Sequence, residues 1–174
     1  MANWTEAQLE TQWQNAVTSG WIPFFEAAAQ KHNVPVELLL GIASRETNMR
    51  NIQGDFRNGV CHGYGIMQVD IGTDPEFCSS WSADDVQPSI DCGTQILAGK
   101  RDYLLRHGIT ETRAIAAAYN TGEGNVVNSI THGLDPDHTT TGGDYGRDVM
   151  ARMQVFVRLR SQPGLGNTAA TTAS

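Results

Sequence analysis

The chain has 174 residues, enough for one well-filled hydrophobic core but short for two independent domains. Apolar residues make up 40% of the chain and charged residues 18%, and no apolar run approaches the roughly 18 to 20 residues that cross a bilayer, which excludes a membrane span. The formal net charge of -7 and the scattered basic residues argue against a nucleic-acid partner, because phosphate binding needs a basic surface.

Two helices are predicted near the N-terminus. Thr5 and Gln8 form a capping-box pattern, and apolar residues follow at every fourth position, which predicts a helix over about residues 5–19. Pro23 can occupy a first helical turn, and the alanine-rich stretch behind it predicts a second helix that ends near Asn33.

The third predicted helix carries the first candidate for chemistry. It opens at Pro35 and places Leu38, Leu39 and Ile42 on the same side as Glu46. A carboxyl group held against an apolar surface is poorly solvated when charged, so its pKa should rise and leave it able to donate a proton near neutral pH. Taken alone, a Glu in the last turn of a helix is more often a solvated surface group.

The segment 48–81 loses the helical period and is rich in glycine, which predicts loops and a small β-hairpin or ribbon. Asp55 and Asp70 lie in this segment, which must fold back over the end of the helix that carries Glu46. Inverting glycoside hydrolysis needs a second carboxylate, roughly 6.5 to 9.5 Å from the acid, to orient a water. Asp55 and Asp70 are the candidates for that role, and ordinary turn or capping duty is the alternative.

The second half of the chain is again predicted as helical, over about residues 88–108, 112–120, 125–130 and 145–160, with a polar, turn-rich loop over 133–143. From Ser161 the composition turns to Pro, Gly, Thr, Ala and Ser, which cannot bury enough apolar surface to order itself. We therefore expect one domain over residues 1–160 and a disordered tail or linker over 161–174.

Three cysteines, Cys61, Cys78 and Cys92, are an odd number without metal-type spacing, so we expect no zinc site and no cofactor. One disulfide with a free thiol and three reduced thiols are equally compatible with the spacing.

Four separated motifs occur in a characteristic order. They are Ser-Arg-Glu-Thr at 44–47, Gly-Tyr-Gly-Ile-Met-Gln-Val-Asp at 63–70, Ala-Tyr-Asn-Thr-Gly-Glu-Gly-Asn-Val at 118–126, and a segment at 144–152 that begins Asp-Tyr. Together they closely resemble the goose-type lysozymes and the related soluble lytic transglycosylases, over roughly residues 35–157. No motif would suffice alone, but four in the family's order are specific.

The resemblance implies a mainly α-helical, lysozyme-like fold with a small β-hairpin or loop region near the active site. It also implies cleavage of the β-1,4 bond between N-acetylmuramic acid and N-acetylglucosamine in peptidoglycan. Glu46 matches the family's catalytic acid, and Asp70 and Asp55 match the aspartates that hold the attacking water. The positions that the resemblance places at the substrate are Gln68, Tyr119, Asn120, Tyr145, Gly65 and Met67.

The chain departs from the family pattern around the second carboxylate. The spacing from Glu46 to Asp55 is shorter than in the usual goose-type enzyme, and the spacing from Asp55 to Gly63 is longer, with Cys61 and His62 inserted. The cysteines do not match the disulfide layout of the animal enzymes, and the acidic balance differs from that of basic lysozymes. A bacterial or phage origin is therefore expected.

Three functions remain open from the sequence. A muramidase would use Glu46 with Asp70 and Asp55 for single-displacement inversion. A lytic transglycosylase would use the same Glu as acid and then base, the substrate's own 6-hydroxyl would attack, and a 1,6-anhydro product would form. The third function is a non-catalytic peptidoglycan-binding module. In each case we expect a monomer whose partner is the peptidoglycan glycan strand.

The N-terminal residues show no basic n-region followed by an apolar h-region. We therefore expect a protein that is secreted without a visible signal peptide or is delivered to the bacterial cell wall by another route.

Overall fold

A computed structural model describes residues 4–162. The tail predicted from Ser161 lies outside the described residues except for Ser161 itself, which ends the last helix, and Gln162. No helix within the described range is long and apolar enough to cross a bilayer.

The described chain is mainly α-helical with one small sheet, as predicted. In chain order the elements are α1 Glu6–Thr18, α2 Ile22–His32, α3 Val36–Thr47, β1 Gln53–Arg57, β2 Val60–Tyr64, β3 Val69–Asp70, α4 Pro75–Ser80, α5 Gln87–Arg106, α6 Thr112–Thr121, α7 Glu123–Thr131, a 3₁₀ turn Thr141–Gly143, and α8 Tyr145–Ser161.

Local signals set several of the helix ends. The capping box of α1 is formed, with the Thr5 side chain accepting from Gln8 N and the Gln8 side chain accepting from Thr5 N at 2.7 Å. Helix α2 ends at Asn33 in the left-handed conformation, φ 51°, a position at which Asn is tolerated. Helix α4 was not predicted, although Asp74 caps it by accepting from Phe77 N at 2.9 Å.

Helix α3 forms the centre of the core. Leu38, Leu39 and Ile42 are at most 1% exposed, and each fully buried side chain of this size contributes about 1.5 to 3 kcal/mol of transfer free energy. Helix α8 packs closely across α3, because a Cβ on Gly41 would lie 2.9 Å from the carbonyl oxygen of Val149. The glycine therefore allows the two helix backbones to approach closely where Gly41 meets Val149.

The sheet is antiparallel in the order β1-β2-β3. β1 and β2 form a hairpin whose turn residues, Asn58 and Gly59, have φ of 50° and 80°, the pattern of the Asn-Gly turn that favours tight hairpins. β3 is short and pairs Asp70 with Gly63. The sheet therefore carries both predicted aspartates, one on each side of the central strand.

Candidate active site

A cleft of about 420 Å³ lies between the end of α3, the sheet, the end of α6 and the start of α8. Its walls are formed by Arg45, Glu46, Asp55, Arg57, Gly63, Gln68, Asp70, Tyr119, Asn120, Thr141 and Tyr145. The fold thus brings the three predicted carboxylates into one cavity, together with the side chains of most of the residues predicted to bind substrate.

Glu46 is one of the residues that line this cleft, and the pKa of its carboxyl is raised to about 7. The main cause is burial, which removes solvation from the charged form, and the charge of Asp55 adds to it. The Tyr145 hydroxyl donates a hydrogen bond to Oε1 of Glu46, and this bond and the charge of Arg45 lower the pKa in part. The rise predicted from the apolar helix is confirmed, and the group can hold a proton near neutral pH.

Arg45 supports the same corner of the cleft. Its guanidinium lies 5.6 Å from the ring centroid of Tyr145, a cation–π contact, and faces Asp148 at 3.3 Å and Asp144 at 3.7 Å. Arg45 was not predicted as a site residue, although it stands next to Glu46 in the sequence. Arg45 therefore holds the Tyr145 ring and adds positive charge beside the Glu46 carboxyl.

Asp55 lies on β1 in the left-handed conformation, with φ 48°, which is uncommon for a residue other than glycine. Its side chain is 49% exposed and forms an ion pair with Arg57, with Oδ2 at 2.6 Å from Nη2 and Oδ1 at 3.4 Å from Nε. Backbone strain of this kind persists where the surroundings hold the residue in place, and it concentrates at functional sites. Arg57 was not predicted as a site residue.

Asp70 stands across β2 from Asp55. Its Oδ1 accepts a hydrogen bond from the backbone N–H of Gly72 at 2.8 Å, which fixes the carboxylate at the end of β3. The structure therefore presents two carboxylates from different strands to the cleft that contains Glu46.

The Gln68 side chain accounts for two glycines of the β1–β2 hairpin, Gly54 and Gly63. Gly54 and Gly63 are cross-strand partners, and a Cβ on either would lie 2.2 or 2.5 Å from Oε1 of Gln68. The Gln68 amide therefore lies directly against this glycine pair. Its Nε2 donates to the carbonyl oxygens of Ile52 at 3.0 Å and Gly65 at 2.9 Å, which fastens the hairpin base to the loop after it.

Gly65 and Met67 do not line the cleft, in contrast to the prediction that they contact substrate. Met67 is fully buried, and its carbonyl oxygen accepts a hydrogen bond from the Tyr119 hydroxyl at 2.8 Å. Gly65 has φ 78° and faces Ser89, whose Oγ would lie 2.0 Å from an added Cβ. Both residues lie behind the cleft wall, because Met67 packs in the core and Gly65 packs against Ser89.

The cleft continues beyond Asn120 into a second cavity of about 300 Å³. The two cavities share Gln68, Asp70, Tyr119 and Asn120, and the second reaches Lys100, which pairs with Glu123 at 2.9 Å. An extended cleft of this kind suits a polymer more than a small molecule. The Asn120 side chain is fixed because its Oδ1 accepts from Thr141 N at 2.8 Å.

The cysteines are free thiols. Burial raises the pKa of Cys78 to about 11 and that of Cys92 to about 12, and the charge of Asp74 adds to both shifts. The Cys61 thiol donates to the carbonyl oxygens of Gly54 and Gly63, at 3.3 and 3.1 Å, and so lies within the sheet. The cysteine spacing was compatible with one disulfide or with three free thiols, and in the structure all three thiols are free.

A mainly helical fold with a small sheet, a carboxyl group of pKa about 7 and two more carboxylates across an extended cleft define the glycoside hydrolase class. Residues 16–159 match the family model described as lysozyme g. The chain is also 31% identical over 145 residues to "Lysozyme g" of Epinephelus coioides, covering 72% of this chain and 69% of that relative. The chain belongs to the lysozyme g family.

The predicted resemblance is therefore confirmed, and with it the enzyme class, a glycoside hydrolase of the lysozyme type. Membership of the family implies a muramidase-type hydrolase whose substrate is peptidoglycan.

Proposed function

We propose that the enzyme cleaves the β-1,4 bond between N-acetylmuramic acid and N-acetylglucosamine by inversion, with Glu46 as general acid and Asp70, aided by Asp55, holding the attacking water. The observation that carries the proposal is the raised pKa of Glu46, about 7, in a cleft that also contains both aspartates. One carboxyl that keeps its proton and a second that stays charged are the pair that such a reaction needs.

The reaction begins with proton transfer from Glu46 to the glycosidic oxygen. The Tyr145 hydroxyl donates to Oε1, so the proton of the neutral acid is on Oε2. As the bond between the anomeric carbon and the leaving oxygen breaks, water attacks the opposite face of the sugar and gives up a proton to Asp70. The leaving sugar then carries the proton from Glu46 as its new hydroxyl, and the other sugar gains a hydroxyl of inverted configuration.

The two aspartates have different supports. Asp70 has one oxygen held by Gly72 N, while Asp55 is held by Arg57. The ion pair with Arg57 holds the Asp55 carboxylate in place, and the charge of Asp55 is one of the causes that raise the pKa of Glu46. We assign the proton acceptor to Asp70 and the orientation of the water to both.

We propose that the Asn120 side chain binds a sugar. Because its Oδ1 accepts from Thr141 N, the Asn120 amide group is left to donate to an N-acetyl or hydroxyl oxygen in the cleft. The hydroxyls of Tyr119 and Tyr145 donate to Met67 O and Glu46, so these two side chains contribute mainly by shaping the cleft and holding its groups.

The product distinguishes this mechanism from lytic transglycosylation. Purified peptidoglycan is digested, and the soluble muropeptides are analysed by mass spectrometry, with Glu46→Gln as the inactive control. Reducing N-acetylmuramic acid ends are expected. Products lighter by one water would show intramolecular attack by the 6-hydroxyl and would contradict the water-holding role.

The aspartates are tested by Asp55→Asn combined with Asp70→Asn. Loss of general-base help is expected to lower the cleavage rate by about 100-fold or more. Asp102→Asn is the matched control, because Asp102 lies on α5 and is 53% exposed, outside the residues that line the cleft. Full activity in the double variant would contradict the assignment.

A further inference from the structure

Two arginines line the cleft, and their environments differ. Arg45 is 28% exposed and faces both Asp144 and Asp148, so two carboxylates compensate its charge. Arg57 is 63% exposed and pairs with Asp55 alone within residues 4–162. Of these two cations, Arg57 is therefore the one that is open to an incoming anion.

The guanidinium of Arg57 has an edge available for such a ligand. Its hydrogen bonds to Asp55 use Nε and Nη2, and Nη1 has no hydrogen-bond partner among the described residues. A guanidinium carries five N–H donors in a planar fork, and the side formed by its two terminal nitrogens matches a carboxylate. Asp55 and a second carboxylate can therefore bind Arg57 at the same time, on neighbouring edges.

The position of Arg57 on the hairpin suits contact with a polymer. It is the last residue of β1, next to the turn at Asn58, and the flanking side chains of Phe56 and Val60 are 60% and 57% exposed. The hairpin therefore projects from the cleft wall into solvent, while Gln68 fastens its base. A ligand that extends out of the cleft along this wall would meet Arg57.

We propose that Arg57 binds a carboxylate of the glycan strand and thereby selects strands that carry one; this inference rests on the proposed function. N-acetylmuramic acid bears a lactyl carboxyl group, which is free in a peptide-stripped strand and linked to a stem peptide in the intact one. The stem peptide has carboxylates of its own. Either source supplies the same chemistry, and in a chain of net charge -7 a cation in the cleft offsets part of the repulsion of an anionic strand.

The test measures binding and is therefore independent of cleavage. In a Glu46→Gln background, calorimetry gives the Kd for soluble glycan fragments stripped of peptide, for the same fragments after their carboxylates are converted to methylamides, and for fragments that retain peptides. Adding Arg57→Gln is expected to weaken binding of a carboxylate-bearing fragment about tenfold more than binding of the methylamide. Arg57→Lys should recover part of the loss, because it keeps the charge without the fork.

Arg106→Gln is the matched control, since Arg106 lies on α5 over the ring of Tyr103, away from the cleft residues. A selective loss with stripped fragments assigns the lactyl carboxylate, and a selective loss with peptide-bearing fragments assigns the peptide. Equal weakening for charged and neutralised fragments would overturn the proposal and leave Arg57 as a support for Asp55 alone. The proposed function fails separately, if the unmodified enzyme releases no muropeptides or only muropeptides lighter by one water.

Discussion

The Tyr145 hydroxyl donates a hydrogen bond to the Glu46 carboxyl, across 99 positions of sequence. The bond joins the first residue of α8 to the last turn of α3, and both residues line the cleft. Burial raises the pKa of Glu46 and this bond lowers it, and burial dominates, with a resulting pKa of about 7. The two residues together therefore set the pH range in which the acid is protonated.

Tyr145→Phe should move the pH dependence of cleavage. Activity requires the protonated acid, so it is present below the pKa of Glu46 and lost as the pH rises through about 7. Removing the donor raises that pKa further, so the alkaline limb of the kcat/KM profile should shift to higher pH. The rate at pH 6 should still fall about tenfold, because the carboxyl is no longer held in position.

The profile is measured from pH 4 to 9 on soluble glycan fragments. Tyr103→Phe is the control. Tyr103 stacks on His107, the residue that follows α5, and it does not line the cleft. An alkaline limb that stays in place, or moves to lower pH, would contradict the role given to the Tyr145 hydroxyl.

Glu46→Gln should stabilise the protein at alkaline pH while abolishing cleavage. The Glu46 pKa rises from 4.5 to about 7 on folding, so the folded state binds more protons between these values, and the free energy of unfolding falls as the pH rises through that window. At pH 8 the cost is about 3 kcal/mol. Glutamine is uncharged at every pH and can still accept from Tyr145, so it avoids this cost.

Urea unfolding at pH 4 and pH 8 measures the effect. The variant should exceed the unmodified protein in unfolding free energy at pH 8 and match it at pH 4. Glu10→Gln, at an exposed position of α1, should show no such difference. Equal stability of Glu46→Gln and the unmodified enzyme at pH 8 would mean that Glu46 titrates near its ordinary value.

The sequence was informative where local signals decide structure. The capping residues Thr5 and Gln8 and the apolar side of α3 located the helices, and the same apolar side predicted the raised pKa of Glu46. Helix α4 escaped prediction because its six residues carry less than two turns of periodicity inside a glycine-rich segment.

The other residues of the cleft are brought there by tertiary contacts, which the sequence does not show. Arg45 and Arg57 are ordinary charged residues in the sequence, and only the packing of α3 on α8 and the folding of the hairpin place them beside the carboxylates. Met67 belongs to the same motif as Gln68, but a one-residue step along the chain turns its side chain into the core. A motif therefore located the site without showing which of its side chains face the cleft.

Gly63→Ala should impair cleavage more than Gly99→Ala. A Cβ at position 63 would lie 2.5 Å from Oε1 of Gln68, so the amide must move, and the hairpin base that carries Asp55 moves with it. Gly99 lies within α5, and an added Cβ there meets no atom within 4 Å, so alanine should instead stabilise the helix by about 0.5 to 1 kcal/mol. The cleavage rates of the two folded variants are compared, and equal rates would contradict the idea that the Gln68 amide positions the hairpin base.

Asp137 determines where α8 begins and hence where Tyr145 stands. Its fully buried carboxylate accepts from the backbone N–H groups of Gly146 at 2.5 Å and Arg147 at 3.1 Å, in the first turn of the helix. Arg113 of α6 pairs with the same carboxylate at 2.8 Å. The Asp137 carboxylate therefore stabilises both the N-terminus of α8 and the Arg113 guanidinium. Removing its charge leaves Arg113 without its buried partner.

Asp137→Asn should therefore lower the free energy of unfolding by about 2 to 4 kcal/mol and reduce kcat in the protein that remains folded. Asp135→Asn is the matched control, because Asp135 also pairs with Arg113 but is 43% exposed, and its loss should cost less than about 1 kcal/mol. Urea unfolding measures the free energy of unfolding of each variant. The pH profile of kcat/KM shows whether Asp137 also positions Tyr145 or only supports the fold. If Asp137 acts through Tyr145, its variant shifts the alkaline limb in the same direction as Tyr145→Phe. A loss of stability with an unchanged profile would show that Asp137 supports only the fold.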